Sequence, residues 1–208
     1  LPPATADALR NLQVKGALSW DCDRILDIGA YRGGWSLALQ ESQICKGDAI
    51  YILVEGNYDM KDHLAQLSGI SYDYLLAMVG SGTNLMSGTD SGSDRDRDSD
   101  GVHLLTYYKA GELTVTVNPD AAETNSLREN LADLHRLDTV MEVRPVFSLD
   151  DVLVAVNYSD FAFDIIRVDT EGFELEVLRG ALNTLRVSPA AVVIMKVPVF
   201  PYLRGAPT

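Results

Sequence analysis

The apolar positions fall into two patterns that alternate along the chain. Short runs, apolar on both sides and bounded by turn residues, occur at Arg24–Gly29, Ala49–Val54, Tyr72–Val79, Val140–Phe147, Phe163–Val168 and Ala191–Val197. Such runs mean strands buried on both faces, the habit of a parallel sheet. Between them lie segments with helical spacing: 5–18, 34–42, 58–68 and 173–186, the last with Leu175, Leu178, Ala181, Leu182 and Leu185 on one stripe. Thr5 is placed to cap the first helix and Gly16 to end it. Residues 120–137 hold a helix in at least their second half, and Ser148 caps a short helix with Asp150 and Asp151 in its first turn. Residues 102–108 and 112–118 alternate around Lys109-Ala110-Gly111, a hairpin signal. Pro198 and Pro201 stop the final strand. Strands alternating with helices predict an α/β domain: a mainly parallel central sheet flanked by helices, with a hairpin insertion.

Length fits that picture. The chain has 208 residues, which at ~150 residues per domain points to a single domain over the whole chain. Residues 1–20 form an N-terminal helical segment. Residues 80–101 are nearly all Gly, Ser, Thr and Asp with two Arg. That composition buries no apolar area, so it predicts an acidic, flexible surface loop rather than a cation site; the spacing of a calcium loop is absent.

Charge narrows the partners. Seventeen Lys and Arg against 30 Asp and Glu give a net charge of −13. That argues against a nucleic-acid backbone or an anionic membrane as partner, since both need clustered cations. No apolar run reaches the ~18 residues of a membrane span, and Leu1-Pro2-Pro3 does not open a signal peptide. The start without Met suggests a trimmed or processed chain, or part of something longer. Cys22 and Cys45 have no metal-ligand spacing. They suit two free thiols in a reducing cytosol and a cytoplasmic protein, with one disulfide as the alternative.

The candidate chemistry lies where the strands end. Ligands of open α/β sheets bind at the carboxyl ends of the strands. The first strand ends in Asp27-Ile28-Gly29-Ala30-Tyr31-Arg32-Gly33-Gly34, the second in Glu55-Gly56-Asn57, and a later one in Asp169-Thr170-Glu171-Gly172. Glycines at 29 and 33 let a ligand approach the backbone and the N–H groups of the next helix. Glu55 at a strand end suits the two hydroxyls of an adenosine ribose, as in NAD or S-adenosylmethionine. Asp27 in the turn disfavours a pyrophosphate and favours a sulfonium with an ammonium tail. Read blandly, Asp27 caps the next helix and Glu55 is a solvated strand end.

The segment Ile25 to Ser36, with Asp27-Ile28-Gly29-Ala30 followed by Gly33 and Ser36, resembles the first motif of class I S-adenosylmethionine-dependent methyltransferases. Val54-Glu55-Gly56-Asn57 looks like their second motif, and Phe147-Ser148-Leu149-Asp150-Asp151 resembles a T-L-D-D segment. Ile166 to Ala181 closely resembles the K-I-D-V-E-G-x-E-x-x-V-L-x-G-A signature of the FkbM family. The resemblance implies a Rossmann-like methyltransferase fold and an O-methyltransferase acting on hydroxyls of sugars, glycans or natural-product small molecules. It places Asp27, Gly29 and Gly33 at the methionine end of the cofactor and Glu55 at the ribose, with Ala30 and Asn57 also cofactor-binding. It puts Asp169 and Glu171 where the acceptor hydroxyl meets the methyl group. The departures are Gly56 in place of the family Pro, Lys196 where a Glu is common, and no obvious sequence for the final antiparallel strand pair.

The expected reaction is in-line displacement at the sulfonium methyl, with Asp169 or Glu171 as general base. Alternatively that pair, with Asp150, holds a divalent cation. His63, His103 and His135 share no ligand spacing and read as ordinary side chains. Trp35 reads as a packing residue, and Tyr107-Tyr108 as a half-buried hairpin pair. Two other readings compete: a non-catalytic methyltransferase-like module within a larger glycan-building protein, and an NAD-binding oxidoreductase, which the absent GxGxxG disfavours.

Overall fold

The structure is a computed structural model and describes residues 1–81, 112–117, 140–189 and 191–196, with backbone alone in 112–117 and 140–145. The acidic loop beyond Ser81, the first hairpin strand with Tyr107-Tyr108, the 120–137 helix, His103, His135 and everything after Lys196 lie outside the described residues.

Five strands form one parallel sheet: β1 (Arg24–Ile28), β2 (Ile50–Glu55), β3 (Ser71–Leu76), β8 (Ile165–Val168) and β9 (Val192–Met195), in the order β3-β2-β1-β8-β9. The alternation of each strand divides its side chains between two cores. Leu26, Ile28, Ile52, Val54, Ile166 and Val168 face one layer, with helices α4 (Leu149–Ala155), α5 (Glu174–Arg179) and α6 (Leu182–Val187). Ile25, Tyr51, Leu53, Tyr74 and Ile165 face the other, with α1 (Pro3–Val14), α2 (Gly34–Glu41) and α3 (Lys61–Leu64). Burial on both faces is why the strands read as continuous apolar runs. The resulting α/β architecture is consistent with the Rossmann-like methyltransferase fold.

Several elements depart from expectation. The first helix begins behind Pro2 without a side-chain cap from Thr5. The run expected at Tyr72–Val79 leaves the sheet after Leu76: Ala77 N–H still donates to Glu55 O, but Met78 O accepts from Phe147 N–H. The next two residues, β4 (Val79–Gly80), pair in parallel with β7 (Phe147–Ser148) instead. β5 (Glu112–Val117) pairs antiparallel with β6 (Val140–Pro145). The expected partner at 102–108 is outside the described residues. The single helix expected at 173–186 is two. At Gly180 an added Cβ would stand 1.9 Å from Gly80 O, so the backbone of the β4–β7 ribbon presses on the chain there. The break turns the apolar stripe. Val177, Ala181 and Thr184 are buried, while Leu175 and Leu182 are exposed.

The two cysteines are not free thiols. Cys22, just before β1, and Cys45, before β2, form a disulfide with Cα atoms 4.9 Å apart. The cysteines therefore give no support to a reducing cytosol. Nearby, buried Gln13 of α1 donates to Ile44 O at 2.7 Å. No helix among the described residues is long and apolar enough to cross a membrane.

Candidate active site at the β1–β8 switch point

From β1 the chain runs outward through β2 and β3; β8 and β9 lie on the other side of β1. The strand order thus reverses between β1 and β8, and the crevice beyond their carboxyl ends is where such sheets bind ligands. The backbone is tight there. Gly29 has φ +78, and a Cβ on it would lie 1.9 Å from Asp169 O, so no other residue fits. Gly33, at φ +72, starts α2 in the left-handed region. Two non-glycine residues also take left-handed backbone in these loops, Tyr31 (φ 52) and Glu171 (φ 51). Such strain gathers where a site demands a shape.

Glu55 stitches the first turn to the end of β2. Its Oε2 accepts from Tyr31 N–H at 2.7 Å and its Oε1 from Asn57 N–H at 2.6 Å. Gly29 and Ala30 N–H both donate to Val54 O. Burial pushes the Glu55 carboxyl above the usual glutamate range. The N–H groups of Asn57, Tyr31 and Gly56 pull it back, and the charge of Asp27 adds to the rise. Glu55 is thus a buried, anchored carboxylate and not a solvated strand end. Asn57 is also buried; its Oδ1 accepts from Asp59 N–H, while Nδ2 has no hydrogen-bond partner among the described residues.

Asp27 lies deeper than expected, with none of its surface exposed. Its Oδ2 accepts from the Ser36 hydroxyl at 2.7 Å and its Oδ1 from Arg167 Nη1 at 2.7 Å. Among the described residues it caps no helix N–H, and its charge is answered within the protein, so it no longer discriminates between pyrophosphate and sulfonium. Arg167 also donates to Gly29 O at 3.3 Å, pairs through Nη2 with Asp169, and lies over the Trp35 ring at 5.3 Å. Trp35 packs partly buried against the α1–α3 core.

Asp169 and Glu171 stand together at the end of β8, and both meet Lys196, just past β9. Lys196 Nζ is 2.5 Å from Glu171 Oε1 and 3.5 Å from Asp169 Oδ1. Asp169 does not cap the following helix. That turn is held by buried Glu174, whose Oε1 accepts from Thr170 N–H at 3.1 Å and Gly172 N–H at 3.0 Å. Asp169 Oδ1 is buried, has Lys196 as its ionic neighbour, and receives no hydrogen bond among the described residues.

The proposed metal trio does not assemble. Asp150 is committed elsewhere: it receives Asn183 N–H at 2.7 Å, Thr184 N–H at 2.9 Å and the Thr184 hydroxyl at 2.7 Å, capping α6. Among the described residues no three His, Cys, Asp or Glu side chains are grouped to hold a metal ion. His63 is exposed on α3, away from any such group.

The chain matches the Methyltransferase FkbM domain over residues 27–204. It belongs to that family. No curated protein and no solved structure matches it. A methyltransferase family implies S-adenosylmethionine as donor, and the FkbM chain has the parts to receive it. They are a tight glycine turn at the end of β1, an anchored carboxylate at the end of β2, and beside it a buried amide whose Nδ2 has no hydrogen-bond partner among the described residues. Sequence reasoning missed Arg167, Glu174 and the engagement of Lys196. The first two lie inside the recognised signature, and Lys196 stands out as a departure from the family pattern.

Proposed function

We propose that the chain is an S-adenosylmethionine-dependent O-methyltransferase acting on a hydroxyl of a sugar, glycan or natural-product small molecule. The observation that carries this reading is the buried Glu55 carboxylate anchored at the end of β2, with the buried Asn57 amide beside it, whose Nδ2 has no hydrogen-bond partner among the described residues. Buried polar atoms are rarely left unpaired, so an orphan donor beside an anchored carboxylate suits a ligand with hydroxyl groups. When bound, the cofactor supplies a methyl group on a positively charged sulfur. The acceptor oxygen would take that methyl group in place of the sulfur and pass its hydroxyl proton to a residue of the chain.

The chain's residues divide the remaining work. Glu55 and Asn57 take the ribose end. Gly29, Ala30 and Gly33 let the backbone close on the methionine end. Asp27 acts from beneath, holding that turn through Ser36 and Arg167. Asp169 Oδ1 receives the acceptor's hydroxyl hydrogen and takes the proton as the oxygen is methylated, with Glu171 beside it.

Calorimetric titration tests this. S-adenosylmethionine should bind and NAD should not, and Glu55→Ala should weaken binding by about 1–3 kcal/mol in a folded protein. Tighter binding of NAD, or unchanged affinity in Glu55→Ala, would overturn the assignment. The engagement of Asp169 and Glu171 by Arg167 and Lys196 favours a second reading, a non-catalytic module of a larger glycan-building protein. That reading requires cofactor binding with no labelled methyl passed to any sugar or small-molecule hydroxyl.

A further inference from the structure

We infer that Lys196 is a positioning residue that balances the Asp169–Glu171 carboxylates and so sets how tightly the site grips a positive charge. The inference rests on the cofactor reading above. Three adjacent strands, β1, β8 and β9, end in a row of alternating charges: Asp27, Arg167, Asp169, Lys196 and Glu171. Each neighbouring pair in the row is in ionic contact. Three carboxylates less two cations leave the row with a single negative charge.

Backbone geometry fixes the last two members. Lys196 N–H donates to Val168 O at 3.2 Å, which sets the residue beside Asp169. Glu171 sits in its left-handed turn, and its carboxylate meets the ammonium at 2.5 Å. The side chains of Asp169 and Glu171 are only 20% and 17% exposed, whereas that of Lys196 is 54% exposed. Water therefore reaches the ammonium far better than the carboxylates, and the ammonium supplies the compensation that water cannot. Burial lowers the Lys196 pKa, but the hydrogen bond to Glu171 and the two negative charges outweigh it, so the amine stays protonated and is no proton acceptor.

The reason for such balance lies in differential binding. Positive charge leaves the sulfur as the methyl group is transferred. Uncompensated carboxylates would hold the starting sulfonium more strongly than the transition state, which raises the barrier. Lys196 cancels the excess charge from the β9 side, 2.5 Å from Glu171 Oε1 and 3.5 Å from Asp169 Oδ1.

The test compares calorimetric affinities for S-adenosylmethionine and S-adenosylhomocysteine, which differ by one methyl group and one positive charge. Lys196→Met should raise the preference for the sulfonium severalfold, because losing a nearby unit positive charge favours the cationic ligand over the neutral one. Lys196→Arg should keep the native ratio, and Glu171→Gln should lower it by a similar factor. Added salt should shrink both changes, because the ammonium is half exposed. Glu171→Gln also carries the test should Lys196→Met fail to fold. An unchanged ratio, or two affinities moving in parallel, would show a purely structural Lys196 and overturn the inference alone. Failure of the native protein to bind either nucleoside would instead remove the cofactor reading and this inference with it.

Discussion

Arg167→Met removes one guanidinium from the β1–β8 seam while keeping most of its aliphatic bulk. In the native protein Arg167 reaches Asp27 at 2.7 Å and Gly29 O at 3.3 Å, and it also pairs with Asp169. Asp27 has no exposed surface, so after the substitution its charge would be left with the Ser36 hydroxyl alone. Breaking a buried pair from one side costs about 3–5 kcal/mol, since the remaining charge cannot return to water. Loss of the guanidinium over Trp35 adds about 0.5–1 kcal/mol. The total is a large share of the roughly 5–15 kcal/mol that holds a typical domain together. At about 2–4 °C per kcal/mol for a chain of this size, Tm should fall on the order of 10–20 °C. Calorimetric melting measures it, with urea unfolding as a second probe. The double variant Asp27→Asn/Arg167→Met separates the cause from loss of packing. With the orphaned charge gone, at least half of the lost stability should return. A loss below about 1 kcal/mol, or a double variant no better than the single, would refute the idea that Asp27 depends on Arg167.

Two further outcomes follow from the same structure. The Cys22–Cys45 disulfide closes a loop with a sequence separation of 23, for which chain entropy gives about 3 kcal/mol. Dithiothreitol should therefore lower Tm by roughly 6–12 °C, with no effect on the Cys22→Ala/Cys45→Ala variant; an unmoved native Tm would count against the bond. The folded-state pKa of Glu55 lies above its unfolded value. The stability it contributes is therefore fully present below the ordinary glutamate range and is lost as pH rises through the folded value. Glu55→Gln removes that loss, so its stability relative to the native protein should improve from acid to neutral pH; a difference independent of pH would show that burial does not perturb Glu55.

Legibility in the sequence tracked burial. β1 and β2 were readable to within a residue because both faces of each are covered: Ile25 to Ile28 and Tyr51 to Glu55 are buried throughout. Elements whose limits are set by contact with distant backbone were not. The 173–186 helix reads as one amphipathic stripe, but Gly80 O and Ser148 press against Gly180 and divide it. Gly180 was visible inside the pattern; what it had to make room for was not. The third strand similarly ends early because Met78 O turns to Phe147 N–H. Asp150 was a possible third ligand in the alternative metal reading, whereas its partners lie at the start of α6, 33 residues away.

The site divides along the same line. The Gly29 turn and Glu55 are local signals, since a strand end followed by glycines, and a carboxylate closing the next strand, can be read without knowing how strands pair. The ion-pair row cannot. Alternation within β1 puts Asp27 on the face of Ile25, and alternation within β8 puts Arg167 on the face of Ile165. Each strand states its own face, but the register that sets Asp27 opposite Arg167 joins residues 140 positions apart. A slip of one residue would send Arg167 into the opposite core, away from both Asp27 and Asp169. Apolar strands tolerate a description without register, because any two buried side chains can pack. Charges do not, since an arginine among leucines and an arginine between two aspartates differ only in pairing. That is why Arg167, which joins the Gly29 turn to Asp169, was the residue least visible before the strands were placed side by side.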